Sequence, residues 1–411
     1  MTKNNAYFIE LEKKYGAHNY KPLPVVLKKG EGVFVWDVEG KRYYDFLSAY
    51  SAVNQGHCHP RLLQALTNQA KNLTLTSRAF HNDQLGEYEK FITEYFGYDK
   101  VLPMNSGVEA VETALKLCRK WAYQVKKLPE NQAKIIVVSE NFHGRTIGVI
   151  SFSTDPDSHG NYGPYLPGFE VVEYDNLDAM HAAINQPNVA GVMVEPIQGE
   201  AGVIVPQRGY LAKISEWCKA ANVLFIADEV QTGIARTGKM LACDHENVKP
   251  DILVLGKALS GGVLPVSAVL TNDEIMLCIK PGEHGSTYGG NPLACAVAKE
   301  ALQIVIDENL VENAEKLGKI LRKRLLEIDS DLILEVRGKG LLIAIDIKPF
   351  GDGKTAYNVC LDLMKNGLLA KQTHTHTIRF APPLVITEEQ INECADIIEK
   401  TIVNLQVEEI A

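Results

Sequence analysis

Several features are missing from this chain, and each absence removes a class of function. Among its 411 residues no apolar run reaches the roughly 18 residues of a membrane span, so no membrane-embedded segment is expected. No long basic block occurs and the formal net charge is -9, which argues against nucleic-acid binding through a phosphate-neutralising patch. Net charge says nothing about clefts, so a local basic pocket stays open. Eight cysteines are scattered without a CxxC pair and read as reduced, buried residues rather than a disulfide framework. Neither GxGxxG nor GxxxxGK[ST] is present, which argues against the common nucleotide folds. The chain shows no internal repeat and no low-complexity tract. Its first residues, MTKNNAYFIELEKKYG, hold no apolar signal core. The expectation is a cytoplasmic protein without nucleic-acid or membrane partners.

What is there is an ordinary globular composition, 46% hydrophobic and 23% charged, in a chain long enough for two domains. Residues 33–47, VFVWDVEGKRYYDFL, alternate around Glu39-Gly40 and predict a hairpin. From about 60 to 290 short aliphatic strands alternate with helical stretches. The strands are KIIVVS (134–139), VAGVMVEP (189–196), VLFIADE (223–229) and ILVLG (252–256). Near-continuous apolar strands between helices predict a parallel sheet covered on both faces. Ligands of such sheets sit at the carboxyl ends of the strands. Beyond 290 a long helical region leads into LILEV (332–336), LLIAIDI (341–347) and HTIRFAP (376–382). A capping box at Thr387-Glu-Glu-Gln390 then opens a last helix. Three parts are expected: a segment 1–50 packing with the small domain, a large domain 51–290 and a small α+β domain 291–411.

The strand ends carry polar groups. Lys257 follows ILVLG, Asp228 ends VLFIAD, and Glu195 ends VMVE with Glu200 beyond it. His143 and Arg145 follow KIIVVS. A single polar strand end is usually only a cap, but several at one predicted ligand edge are harder to dismiss. In PMNSGVEAVETALKLC (103–118), Ser106 and Glu109 form a capping box, and Gly107 lets a ligand approach the backbone. Free amides at a helix start suit a phosphate, although most capping boxes bind nothing. A phosphate cradle, an aspartate and a lysine in one cleft suggest pyridoxal phosphate. The lysine would form a Schiff base with the aldehyde, and the carboxylate would keep the pyridinium nitrogen protonated. An apolar approach and nearby positive charge would lower the lysine pKa and make it nucleophilic.

With these residues in view the chain resembles the class III pyridoxal-phosphate aminotransferases of fold type I. The resemblance runs from AHNYKPLPVVL (17–27) to IRFAPPLVI (378–386). It takes in VLPMNSGVEAVETA (101–114), VEPIQGEAGV (194–203), FIADEVQTGIARTG (225–238) and LGKALSGGVLPVSAV (255–269). The segments around Tyr20, TSRAF (76–80) and GEHGSTYGGNP (282–292) point to members that act on ornithine. The resemblance implies an aspartate-aminotransferase-like α/β fold with a mostly parallel sheet in the large domain. It implies transfer of the δ-amino group of L-ornithine to 2-oxoglutarate. The products would be glutamate and glutamate 5-semialdehyde, which cyclises to pyrroline-5-carboxylate.

The resemblance also assigns residues. Lys257 is expected as the Schiff-base lysine and proton shuttle, and Asp228 as the partner of the pyridinium nitrogen. Gln231 is expected near the phenolic oxygen and Phe142 stacked on the ring, with His143 beside it. Ser106, Gly107 and Val108 are expected at the phosphate. Ser286 and Thr287 join the cofactor set, with Thr287 reaching the site of a neighbouring subunit, which implies a homodimer. Arg145 and Tyr20 are expected to hold the α-carboxylate of ornithine, and Arg145 then the distal carboxylate of 2-oxoglutarate. Arg379, masked by Glu200 while ornithine binds, is expected to take the α-carboxylate of 2-oxoglutarate. Tyr50 and Glu195 complete the substrate set. Position 143 is His where some members carry Trp, a departure that touches the ring contact and not the reaction.

Other readings remain open from the residues alone. Arg379 in IRFAPP could be a surface salt-bridge arginine. GHCHP (56–60) could hold a metal but has no second ligand cluster at zinc-finger spacing, so a turn before RLLQALTNQAK is expected and no metal site. THTHT, with His374 and His376, reads as a polar edge. Glu229 is expected to face away from the site. Rival functions are an aminotransferase for acetylornithine or 4-aminobutyrate, a cofactor-free binding protein and a nicotinamide-dependent oxidoreductase.

Overall fold

The computed structural model describes residues 3–410. Residues 1, 2 and 411, the outer ends of the expected N-terminal segment and small domain, lie outside the described residues. The N-terminal strands are β1 (Leu27–Glu31), β2 (Phe34–Asp37) and β3 (Arg42–Asp45). The turn between β2 and β3 falls at Glu39-Gly40, as expected. There the Asp37 carboxylate accepts from the amides of Glu39 and Lys41 at 3.0 and 2.9 Å.

The central sheet is built from β4 (Lys100–Met104), β5 (Lys134–Val138), β6 (Phe169–Val172), β7 (Val189–Val194), β8 (Leu224–Asp228), β9 (Ile252–Leu255) and β10 (Ser267–Thr271). Their order across the sheet is β4-β10-β9-β8-β7-β5-β6. All neighbours pair in parallel except β10, which runs antiparallel to both β9 and β4. Strands β4, β6 and β10 go beyond those expected; the SAVLT of β10 directly follows the Gly- and Pro-containing stretch GGVLP (261–265). Along β5, Ile135 and Val137 pack against the helix Gly107–Gln124, while Ile136 and Val138 face the helices Leu177–Ile184 and Tyr210–Ala220. Alternation in a strand buried on both faces yields this two-sided core.

Beyond it come β11 (Ile333–Lys339), β12 (Leu342–Ile347), β13 (Leu368–Leu369), β14 (Lys371–Thr373) and β15 (Thr377–Phe380). Strands β11, β12, β15 and β14 form an antiparallel sheet in that order, and β13 pairs in parallel with β3. The amide of Ala381 also donates to the Phe46 carbonyl at 2.8 Å, which ties the end of β15 to the end of β3. Thr387 and Gln390 exchange amide and side-chain hydrogen bonds at 3.0 and 3.2 Å and open the helix Glu388–Ile410.

Three local expectations need correction. The long helical region after 290 is two helices, Pro292–Asp307 and Leu310–Leu326, divided where Asn309 takes a φ of 52°. The first packs on the helices Pro60–Ala70 and Leu85–Phe96 and on the turn at Lys257. Helices Asn5–Tyr15 and Ala356–Lys365 were not foreseen. Seven cysteines are buried, but Cys58 is exposed, because it sits on the tight turn before the helix that starts at Pro60.

Candidate active site

The carboxyl ends of β7, β8 and β9 and the start of the helix Gly107–Gln124 enclose a cavity of about 220 Å³. Its walls include Gly107, Val108, Phe142, His143, Glu195, Glu200, Asp228, Gln231 and Lys257. Nine sequence-predicted residues therefore meet in one place, as the strand-end rule requires.

Lys257 is the first residue after β9 and Gly256, in a 3-10 turn, with a φ of 44°. A left-handed lysine is costly, and such strain persists where packing fixes a residue for a purpose. Burial lowers its pKa, and the nearby Arg379 adds to this. The carboxylates of Glu200, Asp228 and Glu195 oppose both without reversing them.

Asp228 ends β8. Its Oδ2 accepts from His143 Nδ1 at 2.6 Å and its Oδ1 from the Val230 amide at 3.0 Å. Burial works against a charge on His143, but the Asp228 hydrogen bond and the charges of Asp228 and Glu195 together outweigh it and raise the imidazole pKa. The other imidazole nitrogen, Nε2, is buried without a partner. This pairing was not legible in the sequence; the only hint was a histidine at a position where some relatives carry tryptophan. Glu229, next in sequence, turns away: it accepts from the amides of Ala242 and Cys243 at 3.0 and 2.8 Å.

Two further carboxylates line the cavity. Glu195 accepts from the Phe142 amide at 2.9 Å, and burial pushes its pKa up to about 7. Glu200 accepts from Arg379 Nη1 at 2.8 Å and from Gln231 Nε2 at 3.2 Å. Burial, the largest single influence, would raise its pKa, but the charges of Arg379 and Lys257 and the hydrogen bonds from Arg379 and Gln231 together hold it at about 2. Arg379, on β15, is only 1% exposed, so it is no surface arginine. Its Nη1 also donates to Gln231 Oε1 at 3.1 Å.

At the opposite end, Ser106 and Glu109 form the expected capping box. The Glu109 amide donates to Ser106 Oγ at 3.4 Å, and the Ser106 amide donates to Glu109 Oε2 at 2.8 Å. A Cβ on Gly107 would lie 2.8 Å from Val230, so only glycine allows this helix start against the loop after β8. Asn105, which the sequence reading passed over, donates to Ser286 Oγ at 2.8 Å and ties the 282–290 loop to this helix start.

The remaining expected residues lie outside the cavity wall. Arg145 is exposed, with its guanidinium 5.4 Å from the Phe142 ring centre. Tyr20 is 70% exposed, and Thr287 is exposed on its loop. Tyr50 places its ring 5.2 Å from the Arg379 guanidinium. His57 and His59 do not converge: His57 meets Asp45 at 2.7 Å, and His59 meets Glu308 at 3.0 Å while capping the helix at Pro60.

The cavity thus combines a lysine amine of lowered pKa, an aspartate held by a histidine, an aromatic face and a helix start free of side chains. Those are the groups pyridoxal phosphate needs, so the residues fit that cofactor.

Comparison with known proteins agrees. The family model for aminotransferase class-III matches residues 15–402. The ornithine aminotransferase, mitochondrial, of Drosophila melanogaster is 64% identical over 394 residues, covering 96% of this chain and 91% of that one. A solved ornithine aminotransferase from Toxoplasma gondii, with partial occupancy of pyridoxal phosphate at its active site, superposes with a TM-score of 0.97 at 49% identity. It covers 100% of this chain and 96% of the other. A structure described as an acetylornithine aminotransferase from Elizabethkingia anophelis gives a TM-score of 0.92 at 64% identity, covering 98% and 100%. Fold type I, transaminase chemistry and dependence on pyridoxal phosphate go with the family, and this chain belongs to the class-III aminotransferases.

Proposed function

We propose that this enzyme transfers the δ-amino group of L-ornithine to 2-oxoglutarate. The observation that carries this reading is Arg379, buried and covered by Glu200 and Gln231. An enzyme that reacts first with an amine far from its carboxylate must hide the arginine that would otherwise seize an α-carboxylate. It must expose the same arginine for the 2-oxo acid. A planar guanidinium bound to one glutamate can exchange that partner for a substrate carboxylate of matching shape.

Pyridoxal phosphate, when bound, supplies an aldehyde that takes up the amino group and a ring that accepts electron density. The chain supplies the rest. The Lys257 amine, with its proton affinity lowered by burial, accepts and returns the substrate proton. Asp228 would face the ring nitrogen, oriented by its bonds from His143 and the Val230 amide. Phe142 would cover the ring, with Gln231 beside it. Ser106, Gly107 and Val108 would hold the phosphate at the helix start. Arg145 and Tyr20 would take the carboxylate remote from the reacting carbon.

A homodimer follows from the same reading, with Thr287 and Ser286 on the loop that reaches the neighbouring site. Exposed Phe80 (70%) and Tyr288 (58%) support it. Exposed aromatics of this size suit burial against a second copy. The chain would divide into a large unit, 51–290, and a small unit, 291–411, with the first 50 residues packed on the small one. Eight unpaired thiols are in keeping with a cytosolic setting. Among the described residues no helix is long and apolar enough to cross a membrane.

The deciding assay gives purified holoenzyme 2-oxoglutarate and, in parallel, ornithine, acetylornithine and 4-aminobutyrate. Pyrroline-5-carboxylate, trapped only with ornithine, is the expected product. Preference for acetylornithine would replace this reading.

A further inference from the structure

The sheet edge beside Arg379 carries a cation with no role so far. Lys371, on β14, lies directly across the ladder from Arg379. Such neighbours project from one face of the sheet, where like charges repel. Glu200 balances Arg379. Nothing balances Lys371: among the described residues it forms no ion pair with a carboxylate. Its Nζ donates to the Tyr50 hydroxyl at 3.4 Å and stands 5.8 Å from the centre of the Tyr20 ring.

The segment that presents Tyr50 is itself unusual. Ser48, Ala49, Tyr50 and Ser51 have φ values of 48°, 48°, 60° and 70°. A full left-handed turn of four L residues is rare, and its cost persists only where the surroundings impose it. Here the Asp45 carboxylate accepts from the amides of Leu47 and Ser48, both at 2.9 Å, at the entry to the turn. The turn sets the Tyr50 ring against Arg379 and its hydroxyl against Lys371. A hydroxyl that accepts from an ammonium group donates its own proton more strongly.

We propose that Lys371 determines substrate specificity: with the Tyr50 hydroxyl it holds the carboxylate that a substrate carries at its end remote from the reacting carbon. This rests on the proposed function and joins Lys371 to Tyr20 and Arg145 at that end. It accounts for a half-buried cation left without a carboxylate of its own. The ligand class is a small carboxylic acid whose reacting amine or oxo group lies several bonds from the anion.

The test compares substrates with and without that carboxylate in the holoenzyme. K371M should lower the kcat/KM preference for 2-oxoglutarate over pyruvate about tenfold, the scale of one charge-assisted hydrogen bond, through KM rather than kcat. Ornithine over 1,4-diaminobutane should shift in the same direction. K371R, which keeps the charge, should retain most of both preferences. If K371M folds poorly, Y50F keeps the ring, removes the hydroxyl and should move the same ratios. Unchanged ratios, or an equal loss in K371R, overturn the proposal. A wild-type enzyme that ignores ornithine overturns the proposed function instead, and the 2-oxoglutarate to pyruvate ratio still decides Lys371.

Discussion

Glu195 and Glu200 stand five residues apart on one segment and face one cavity, yet their chemistry diverges. Glu195 titrates near 7 and Glu200 near 2. Burial pushes both upward, so burial is not the difference. The difference is Arg379, which β15 places 2.8 Å from Glu200 and which forms no ion pair with Glu195. Glu195 has one amide donor and a repelling neighbour in Asp228. One carboxyl can be held neutral near physiological pH, while the other is a fixed anion that serves as a gate.

The most damaging change to this pair is Lys257→Ala, because both glutamates feel the Lys257 charge. Turnover should fall by about 10⁴-fold, the upper range for a lost acid–base group. The borohydride-reducible yellow chromophore should vanish with it, and its survival would show that another amine does the work. Next is Arg379→Ala, which leaves the half-buried Glu200 without its cation. Stability should drop by about 1–2 kcal/mol, less than for a fully buried ion pair because water still reaches Glu200, as read by denaturant unfolding. Reaction with 2-oxoglutarate should suffer far more than reaction with ornithine; equal losses would count against the gate.

Glu200→Ala makes a smaller change by uncovering Arg379. Glutamate as amino donor should improve about tenfold relative to ornithine, as expected for the loss of one competing charged hydrogen bond. Steady-state kinetics with each donor would read this, and an unchanged preference would sink the masking role.

The mildest test is of slope with pH. Glu200 has a folded pKa below its ordinary 4.5, so its contribution is present above pH 4.5 and is lost as pH falls toward 2. Glu195 has a folded pKa above 4.5, so its contribution is present below pH 4.5 and is lost as pH rises through 7. Unfolding midpoints of Glu195→Gln should therefore flatten between pH 4.5 and 7. Those of Glu200→Gln should flatten only on the acid side. Matching profiles for the two variants would mean that the glutamates share one environment after all.

Much of the scaffold was legible because it rests on local rules. Near-continuous apolar runs gave β5, β7, β8 and β9, and their carboxyl ends located Lys257, Asp228 and Glu195. Ser106 and Glu109 announced their helix by a capping box, and Asp37 to Lys41 announced a turn. Harder to read were features set by partners far along the chain. The antiparallel β10 has no run distinct from its Gly-rich surroundings. The left-handed turn at Ser48–Ser51 contains no glycine to signal it. The break at Glu308-Asn309 interrupts an otherwise helical pattern by only two residues. His143 gave no sign of its bond to Asp228, 85 residues away. Arg379 read equally well as a surface arginine.

The sequence by itself determined that 134–139, 189–196, 223–229 and 252–256 hold strands, that a lysine ends one of them and that an aspartate ends its neighbour. Those outcomes follow from apolar periodicity and turn chemistry within a dozen residues. Only the tertiary structure decided that Glu195 stays protonatable while Glu200 is locked as an anion. That choice depends on a guanidinium 179 residues from Glu200 in sequence and 2.8 Å from it in space. In a cavity of low dielectric, that charge, with Lys257 and the hydrogen bonds from Arg379 and Gln231, outweighs the burial of Glu200.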